Sequence, residues 1–153
     1  MSVSVQEADF DVGREIEALS QDSAIVGAVA SFVGLVRGAS TANEQSESIA
    51  AMTLEHYPGM TETALAEIEA AARARWLLQE VTIIHRLGRL LPGERIVFVG
   101  VACAHRGDAF AACEFIMDYL KTQAPFWKKE ETTNGGRWVD ARETDDTAAA
   151  RWQ

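Results

Sequence analysis

The chain has 153 residues, of which 48% are hydrophobic and 24% charged, a composition typical of a soluble domain with its own core. The formal net charge of −9 argues against a nucleic-acid binder and against electrostatic anchoring to a membrane, since both need basic surfaces. No segment approaches the roughly 20 apolar residues that span a bilayer. The first ten residues lack the pattern of a signal peptide, and two cysteines cannot form a disulfide framework, so we expect a cytoplasmic protein.

The hydrophobic pattern predicts one α+β domain over residues 1–153. Helices are predicted at residues 11–20, from Pro58-Gly59 to about 76, and at 108–122. The third helix must end before Pro125, because the residue before a proline avoids helical geometry. Its predicted core-facing residues are Phe110, Cys113, Met117 and Leu120.

Four strands are predicted at residues 24–36, 49–57, 81–87 and 96–103. The segments 127–131 and 137–139 flank Thr-Asn-Gly-Gly and fit a small hairpin. The polar, glycine-bounded segment 38–48 is predicted to be a mobile loop. The tail at 140–153, acidic and then Ala-rich, fits either a docking helix or partial disorder.

All three lysines, Lys121, Lys128 and Lys129, fall within nine residues, whereas the other eleven Lys or Arg positions are Arg. A lysine ammonium is a compact charge whose pKa responds to burial, unlike the permanently charged planar guanidinium. The clustering favours a site that uses ammonium groups, and solvated lysines in an Arg-rich chain are the alternative. For Lys121, the two interpretations are a pocket shared with Lys128 and a surface ion pair with Asp118.

Two His-Arg pairs and one further arginine are candidates for anion binding. His105-Arg106 follows a predicted strand and begins a helix, where backbone N–H groups help to bind phosphate. A histidine cap beside a surface arginine explains that pair equally well. Arg37 ends the first strand beside the polar loop, which suits either an anion site or solubility. His85-Arg86 lies on an apolar strand, which favours a buried histidine with satisfied hydrogen bonds.

No motif supplies a cofactor site or a nucleophile. The sequence contains no Walker loop, dinucleotide fingerprint, Ser-His-Asp elbow or His-Glu-x-x-His helix. Cys103, His105 and Cys113 lack the paired spacing of zinc ligands, so no metal is predicted and the cysteines are interpreted as small buried apolar residues. Any chemistry must therefore rely on cations, with a nucleophile supplied from outside the chain.

Five segments, in order and over nearly the whole chain, resemble the large subunit of molybdopterin synthase. They are LEHYPGMTETALAEI, VTIIHRLGRLLPGE, IVFVGVACAHRGDAF, FIMDYLKTQAPFWKKE and GGRWVDARE. The resemblance implies an α/β-hammerhead fold with a mostly antiparallel sheet, and a homodimer that carries two copies of a small ubiquitin-like sulfur carrier. In that family the carrier's C-terminal Gly-Gly tail, activated as a thiocarboxylate, enters a pocket of the large subunit. Two such sulfurs convert cyclic pyranopterin monophosphate into the dithiolene of molybdopterin.

The resemblance also assigns roles to individual residues and implies no cofactor. Lys121 of MDYLK corresponds to the main catalytic lysine, at the reactive carbon of the tail, and Lys128 of PFWK to its partner at the substrate. The implied substrate-binding residues are Arg37, His105, Arg106, Lys129 and Glu130. The His-Arg pair is expected to reach in from the other subunit, so that preorganised cations hold two anions together. One departure is Leu35, where some relatives carry a second basic residue.

Two other hypotheses fit parts of this pattern. A dimeric scaffold could accept the carrier tail without turnover, and a phosphate-ester hydrolase could use His105 as a base. The joint presence of Arg37, the His-Arg pair and both site lysines favours the sulfur-transferring enzyme, because a scaffold needs the pocket but not all the cations.

Overall fold

The computed structural model describes residues 3–22, 24–40, 47–132, 135–139 and 143–153, and it has two sheets and four helices in those residues. The helices are α1 (Val12–Leu19), α2 (Met60–Arg75), α3 (Arg106–Gln123) and α4 (Glu143–Ala150). The strands are β1 (Val3–Gln6), β2 (Ala28–Leu35), β3 (Ala39–Ser40), β4 (Glu47–His56), β5 (Leu78–Arg86), β6 (Gly88–Leu90), β7 (Arg95–Cys103), β8 (Phe126–Thr132) and β9 (Gly135–Val139). The predicted α+β class is confirmed.

The first sheet has the strand order β1-β5-β7-β2 and is antiparallel apart from the parallel β1–β5 pair. Its central strand β7 is buried on both faces. Val97, Val99 and Val101 belong to the core shared with α2 and α3, while Phe98 and Ala102 belong to the core shared with α1. A strand covered on both sides reads as a continuous apolar run, which is why β7 could be recognised from the sequence.

Helix α1 lies close to β7 because Gly100 has no side chain. A Cβ at Gly100 would meet the Leu19 side chain of α1 and would lie 2.9 Å from ring atoms of Phe98. Leu19 is itself 2% exposed, so it has little room to move away. The contact fixes the distance between this helix and the sheet.

The second sheet has the order β3-β4-β8-β9, with β6 pairing on β4. The Thr61 hydroxyl, at the start of α2, joins this sheet to the helices. It accepts a hydrogen bond from the Tyr57 N–H at 3.1 Å and donates one to the Pro125 carbonyl at 2.9 Å. Thr61 is fully buried, so both partners are held away from water. The start of β8 is thereby tied to the end of β4 and the start of α2.

The C-terminal segment docks on α3. Asp118 of α3 accepts hydrogen bonds from the Trp152 indole N–H at 2.6 Å and from Arg151 at 3.0 Å, and Arg75 donates to the Trp152 carbonyl at 2.6 Å. For residues 143–153, the docking-helix interpretation of the tail is therefore confirmed. Asp118 pairs with Arg151, which disfavours the surface pair with Lys121.

Several predicted boundaries change. β2 begins at Ala28, because the preceding residues form a turn in which the Val26 N–H bonds the Asp22 carbonyl at 3.1 Å. Strands β1 and β6 were not predicted. Ala39 and Ser40 pair with Ser48 and Glu47 at the start of β4, so the prediction of a mobile loop at 38–48 is wrong for these four residues. The rest of that predicted loop at 41–46, the hairpin residues 133–134 and the tail residues 140–142 lie outside the described residues.

The prediction that Phe110 faces the core is wrong, since its side chain is 66% exposed. The buried stripe of α3 instead runs through Ala109, Ala112 and Ile116, one position around the helix from Phe110. The other three predicted core positions of this helix are buried. No helix among the described residues is long and apolar enough to span a bilayer.

We predict that Gly100→Ala lowers the free energy of unfolding by about 1–3 kcal/mol, because the added methyl group overpacks the α1–β7 contact. Gly107→Ala is the matched control, since a Cβ there meets nothing within 4 Å. In a helix that change should leave stability unchanged or raise it by about 0.5–1 kcal/mol. Denaturant unfolding of both variants measures the difference, and equal stabilities would contradict the close approach.

Candidate functional site

A cleft of about 540 Å³ lies where α3 and strand β2 of the first sheet meet strand β8 of the second sheet. Its walls combine apolar side chains with the ends of several charged ones. Phe32, Met52, Met117 and Phe126 are among the apolar lining residues. This size and mixture suit a small ligand or a narrow peptide tail.

Three of the predicted site cations line the cleft. Lys121 lies in the last turn of α3, Lys128 lies on β8, and Arg37 follows β2. The carbonyl end of a helix carries partial negative charge, which favours the ammonium form of a lysine there. The pocket interpretation of Lys121 is thus supported by its position beside Lys128.

Lys121 and Lys128 meet because the chain turns sharply between them. α3 ends at Gln123, Ala124 has an extended backbone with ψ of 128°, and β8 begins at Phe126 after Pro125. The predicted helix end before the proline is confirmed. The strand then returns alongside the last turn of the helix.

The alternation of β8 decides which of its side chains reach the cleft. Phe126, Lys128 and Glu130 line it, as expected for every second residue of a strand. Glu130 is 7% exposed and brings a carboxyl group next to the cations. Lys129 lies on the opposite face, where its Nζ is 5.8 Å from the centre of the Trp138 ring. Of the predicted PFWKKE contacts, the structure brings Lys128 and Glu130 to the cleft and not Lys129.

His105 and Arg106 are exposed at the other end of α3. Arg106 and Lys121 are 15 residues apart on this helix, which is about 22 Å at 1.5 Å per residue. A side chain cannot cover that distance along a straight helix. Within one chain, the His-Arg pair and the lysines therefore belong to different surfaces.

His85 is a cleft residue that the sequence did not identify as one. The prediction that it is buried with a satisfied hydrogen bond is confirmed, since it is 3% exposed and its Nδ1 lies 2.9 Å from the Arg86 carbonyl. It nevertheless lines the cleft. Burial, together with smaller contributions from the charges of Lys128 and Lys121, lowers the pKa of His85 to about 3, against the opposing effect of the hydrogen bond to Arg86. The imidazole is therefore neutral at physiological pH.

Neither cysteine is among the residues that line the cleft. Cys103 and Cys113 are both buried, as predicted, and burial raises the pKa of Cys113 to about 11. The Cys103 thiol donates to the His105 carbonyl at 3.2 Å. In the part of the chain that the structure describes, no three His, Cys, Asp or Glu side chains lie close enough together to hold a metal.

The fold and the cleft define an α+β protein in which lysine and arginine side chains line a partly apolar cleft. A family model described as MoaE protein matches residues 5–123. The molybdopterin synthase catalytic subunit of Ralstonia nicotianae is 60% identical over 99% of this chain and 84% of its own length. The chain belongs to the MoaE protein family, whose curated relatives are catalytic subunits of molybdopterin synthase.

Solved structures agree with this assignment. The molybdopterin biosynthesis MoaE protein of Burkholderia ambifaria is 56% identical, with a TM-score of 0.82 over 99% of this chain and 97% of that one. The molybdopterin synthase structure from Staphylococcus aureus is 27% identical, with a TM-score of 0.79 over 89% of this chain and 95% of that one. The fold is thus retained at about half the sequence identity.

The lowered pKa of His85 predicts a pH dependence of stability. The ordinary value is 6.5 and the folded value about 3, so between these values the unfolded chain binds the proton more readily. The contribution of His85 to stability is present above pH 6.5 and is lost as the pH falls toward 3. Between pH 7 and pH 5 the loss should be roughly 2 kcal/mol, at about 1.4 kcal/mol per pH unit.

Denaturant unfolding of the wild type and of His85→Phe at both pH values isolates this contribution, because other groups titrate equally in the two proteins. The stability difference between them should shift in favour of the variant at pH 5. A constant difference would show that His85 is not held neutral in the fold.

Proposed function

We propose that this protein is the sulfur-transferring subunit of a molybdopterin synthase, acting in the cytoplasm as one domain. The substrate would be cyclic pyranopterin monophosphate, and the sulfur donor the C-terminal thiocarboxylate of a small ubiquitin-like carrier. The observation that carries the proposal is the meeting of Lys121, Lys128 and Arg37 in a cleft whose described lining residues include no cysteine, serine or threonine. Membership of the MoaE family supports it.

The cations answer the main electrostatic difficulty of the reaction. A thiocarboxylate and a cyclic phosphate are both anions, and they repel each other unless fixed positive charges lie between them. Preorganised charges in a site that excludes water stabilise developing anions strongly, because they need no reorganisation during the reaction. The apolar lining residues Phe32 and Met117 help to exclude water from this space.

The nucleophile would arrive with the carrier. The thiocarboxylate sulfur supplies the electron pair for the new bond to the pterin carbon, while the carbon–oxygen bond at that carbon breaks and its oxygen leaves with the phosphate or as water. Water then hydrolyses the resulting thioester, which leaves the sulfur on the pterin as a thiol. The carrier leaves with an ordinary carboxylate. Both cysteines of this chain are buried and the Cys113 thiol has a raised pKa, which argues against a relay through an enzyme thiolate.

In this proposal Lys121 contacts the reactive carbon of the tail, Lys128 contacts the pterin, and Arg37 binds its phosphate, with Glu130 beside Lys128. Lys129 lies outside the cleft of its own chain, and we assign it no role there. His105 and Arg106 would complete the phosphate site of a second copy. We therefore propose a homodimer that binds two carriers, a heterotetramer, with each site built from both large subunits.

We predict that Lys121→Ala and Lys121→Arg each lower sulfur transfer roughly 100-fold or more, because the central ammonium of an electrostatic site is lost or displaced. Lys121 is exposed, so the melting temperature should change little. Lys129→Ala is the matched control on the neighbouring strand and should retain activity. The assay mixes the purified protein with thiocarboxylated carrier and the cyclic pterin, and follows the dithiolene product.

Near-normal turnover by either Lys121 variant would contradict the catalytic assignment. Tail binding by the wild type with no turnover would instead favour the scaffold hypothesis. Product formation without any carrier would exclude the carrier as the sulfur source.

A second prediction tests the shared site. Arg106→Ala and Lys121→Ala proteins should each be inactive alone. After subunit exchange, half of the dimers are mixed, and each mixed dimer has one intact site and one doubly damaged site. Activity should therefore recover to about a quarter of the wild-type value. Mass spectrometry shows whether subunits have exchanged, and no recovery after proven exchange would refute a site shared between the two subunits.

A further inference from the structure

The ring of His85 has one nitrogen in use and one available. Its Nδ1 is 2.9 Å from the Arg86 carbonyl, and a carbonyl oxygen only accepts hydrogen bonds. The proton of the neutral ring is therefore on Nδ1, and Nε2 carries a lone pair. The ring is fixed in place by stacking on Phe126, with centroids 3.7 Å apart and an interplanar angle of 18°.

Among the described residues, none donates a hydrogen bond to Nε2 of His85. The residue is 3% exposed and lines the cleft with Lys121 and Lys128. Nε2 is not among the enclosed side-chain atoms left without a partner in the described residues, so it is open to the contents of the cleft, where water or a ligand normally completes such an acceptor. Because Nδ1 is occupied and the ring face is stacked, Nε2 is the atom with which the ring can meet a ligand in the cleft.

The charge state of the ring limits what it can do there. Burial, helped by the two nearby lysines, lowers its pKa to about 3, so the ring is neutral and is too weak a base to remove protons at neutral pH. A neutral lone pair repels carboxylate and phosphate oxygens, whereas the ammonium groups attract them. One hydrogen-bond acceptor among several cations therefore selects one orientation of the bound ligand, which the positive charges alone would not do.

We propose that His85 is a positioning residue whose Nε2 accepts a hydrogen bond from an N–H group of the ligand bound between Lys121 and Lys128. The inference rests on the proposed function and deepens it, since it assigns the polarity of the bound ligand. Two ligands of that function carry N–H groups: the peptide backbone of the Gly-Gly tail and the pterin ring system. The hydrogen bond holds the N–H toward β5 and leaves the anionic end to the lysines.

Three substitutions of His85 test the roles of its two ring nitrogens separately. In His85→Asn the amide reaches about as far as Nδ1, so it can still donate to Arg86 but offers the cleft no acceptor. In His85→Gln the amide oxygen reaches about as far as Nε2 and restores the acceptor. His85→Phe keeps the stacking on Phe126 and removes both polar atoms.

Three measurements are made on each variant: the Kd for the carrier with an ordinary carboxylate tail, the Kd for the cyclic pterin, and the KM and kcat for sulfur transfer. We expect the Asn and Phe variants to weaken one ligand about tenfold, the usual effect of one lost hydrogen bond. The Gln variant should stay within about threefold of the wild type. Weaker carrier binding with unchanged pterin binding identifies the tail as the donor, and the reverse identifies the pterin.

Melting temperatures distinguish this role from a structural one. If the Gln variant is as impaired as the Asn and Phe variants, and the losses follow the melting temperatures, His85 only supports the fold and the inference is wrong. Wild-type affinities and KM in the Asn and Phe variants would also overturn it. The two binding measurements need no turnover, so they decide the role of His85 even if the wild type transfers no sulfur and the proposed function fails.

Discussion

The corner between α3 and β8 is the constraint on which the cleft depends. Pro125 ends the helix, and the buried Thr61 hydroxyl holds the Pro125 carbonyl at 2.9 Å. This hydrogen bond connects residues 64 positions apart in the chain. The stack of His85 on Phe126 and the pairing of Phe126 with His56 of β4 support the same direction of β8. Lys121 and Lys128 share a cleft because these contacts turn the strand back alongside the end of the helix.

The cleft gathers three cations although the protein is strongly acidic, and Glu130 and Asp145 are the carboxylates that line it with them. A net charge of −9 is spread over the whole chain, while Lys121, Lys128 and Arg37 are brought to one concave surface. Electrostatic interactions depend on distance and on the exclusion of water, so the local arrangement decides what binds. An acidic chain is therefore compatible with a group of cations in the cleft, and the contrast favours binding of an anion there.

Burial keeps two titratable side chains of this protein in their neutral forms. It keeps the His85 ring neutral beside two ammonium groups, and it raises the pKa of the Cys113 thiol. At the C-terminus the charged groups remain near the surface: Arg151 binds Asp118 there, and Trp152 packs against the core. The chain thus removes two groups from acid-base chemistry and leaves the exposed lysine ammonium at the cleft.

Local patterns determined much of the fold. The doubly apolar run of β7, the proline after α3 and the glycine-containing hairpin are visible in a single sequence, because each depends on a few neighbouring residues. The short strands β1 and β6 were missed, since four and three residues carry too little periodicity and pair with distant partners. Phe110 was placed on the wrong face because an apolar residue one position off the stripe still fits a helical pattern.

The sequence by itself determined which chemical groups this protein can use: three lysines in one segment, arginines elsewhere, and no motif for a cofactor or a nucleophile. Only the tertiary structure decided which of them act together. The alternation of β8 separates Lys128 from Lys129, and the length of α3 separates Arg106 from Lys121. The path of β5 brings His85 to the cleft wall. Such choices depend on contacts between residues far apart in the chain, and no local pattern records them.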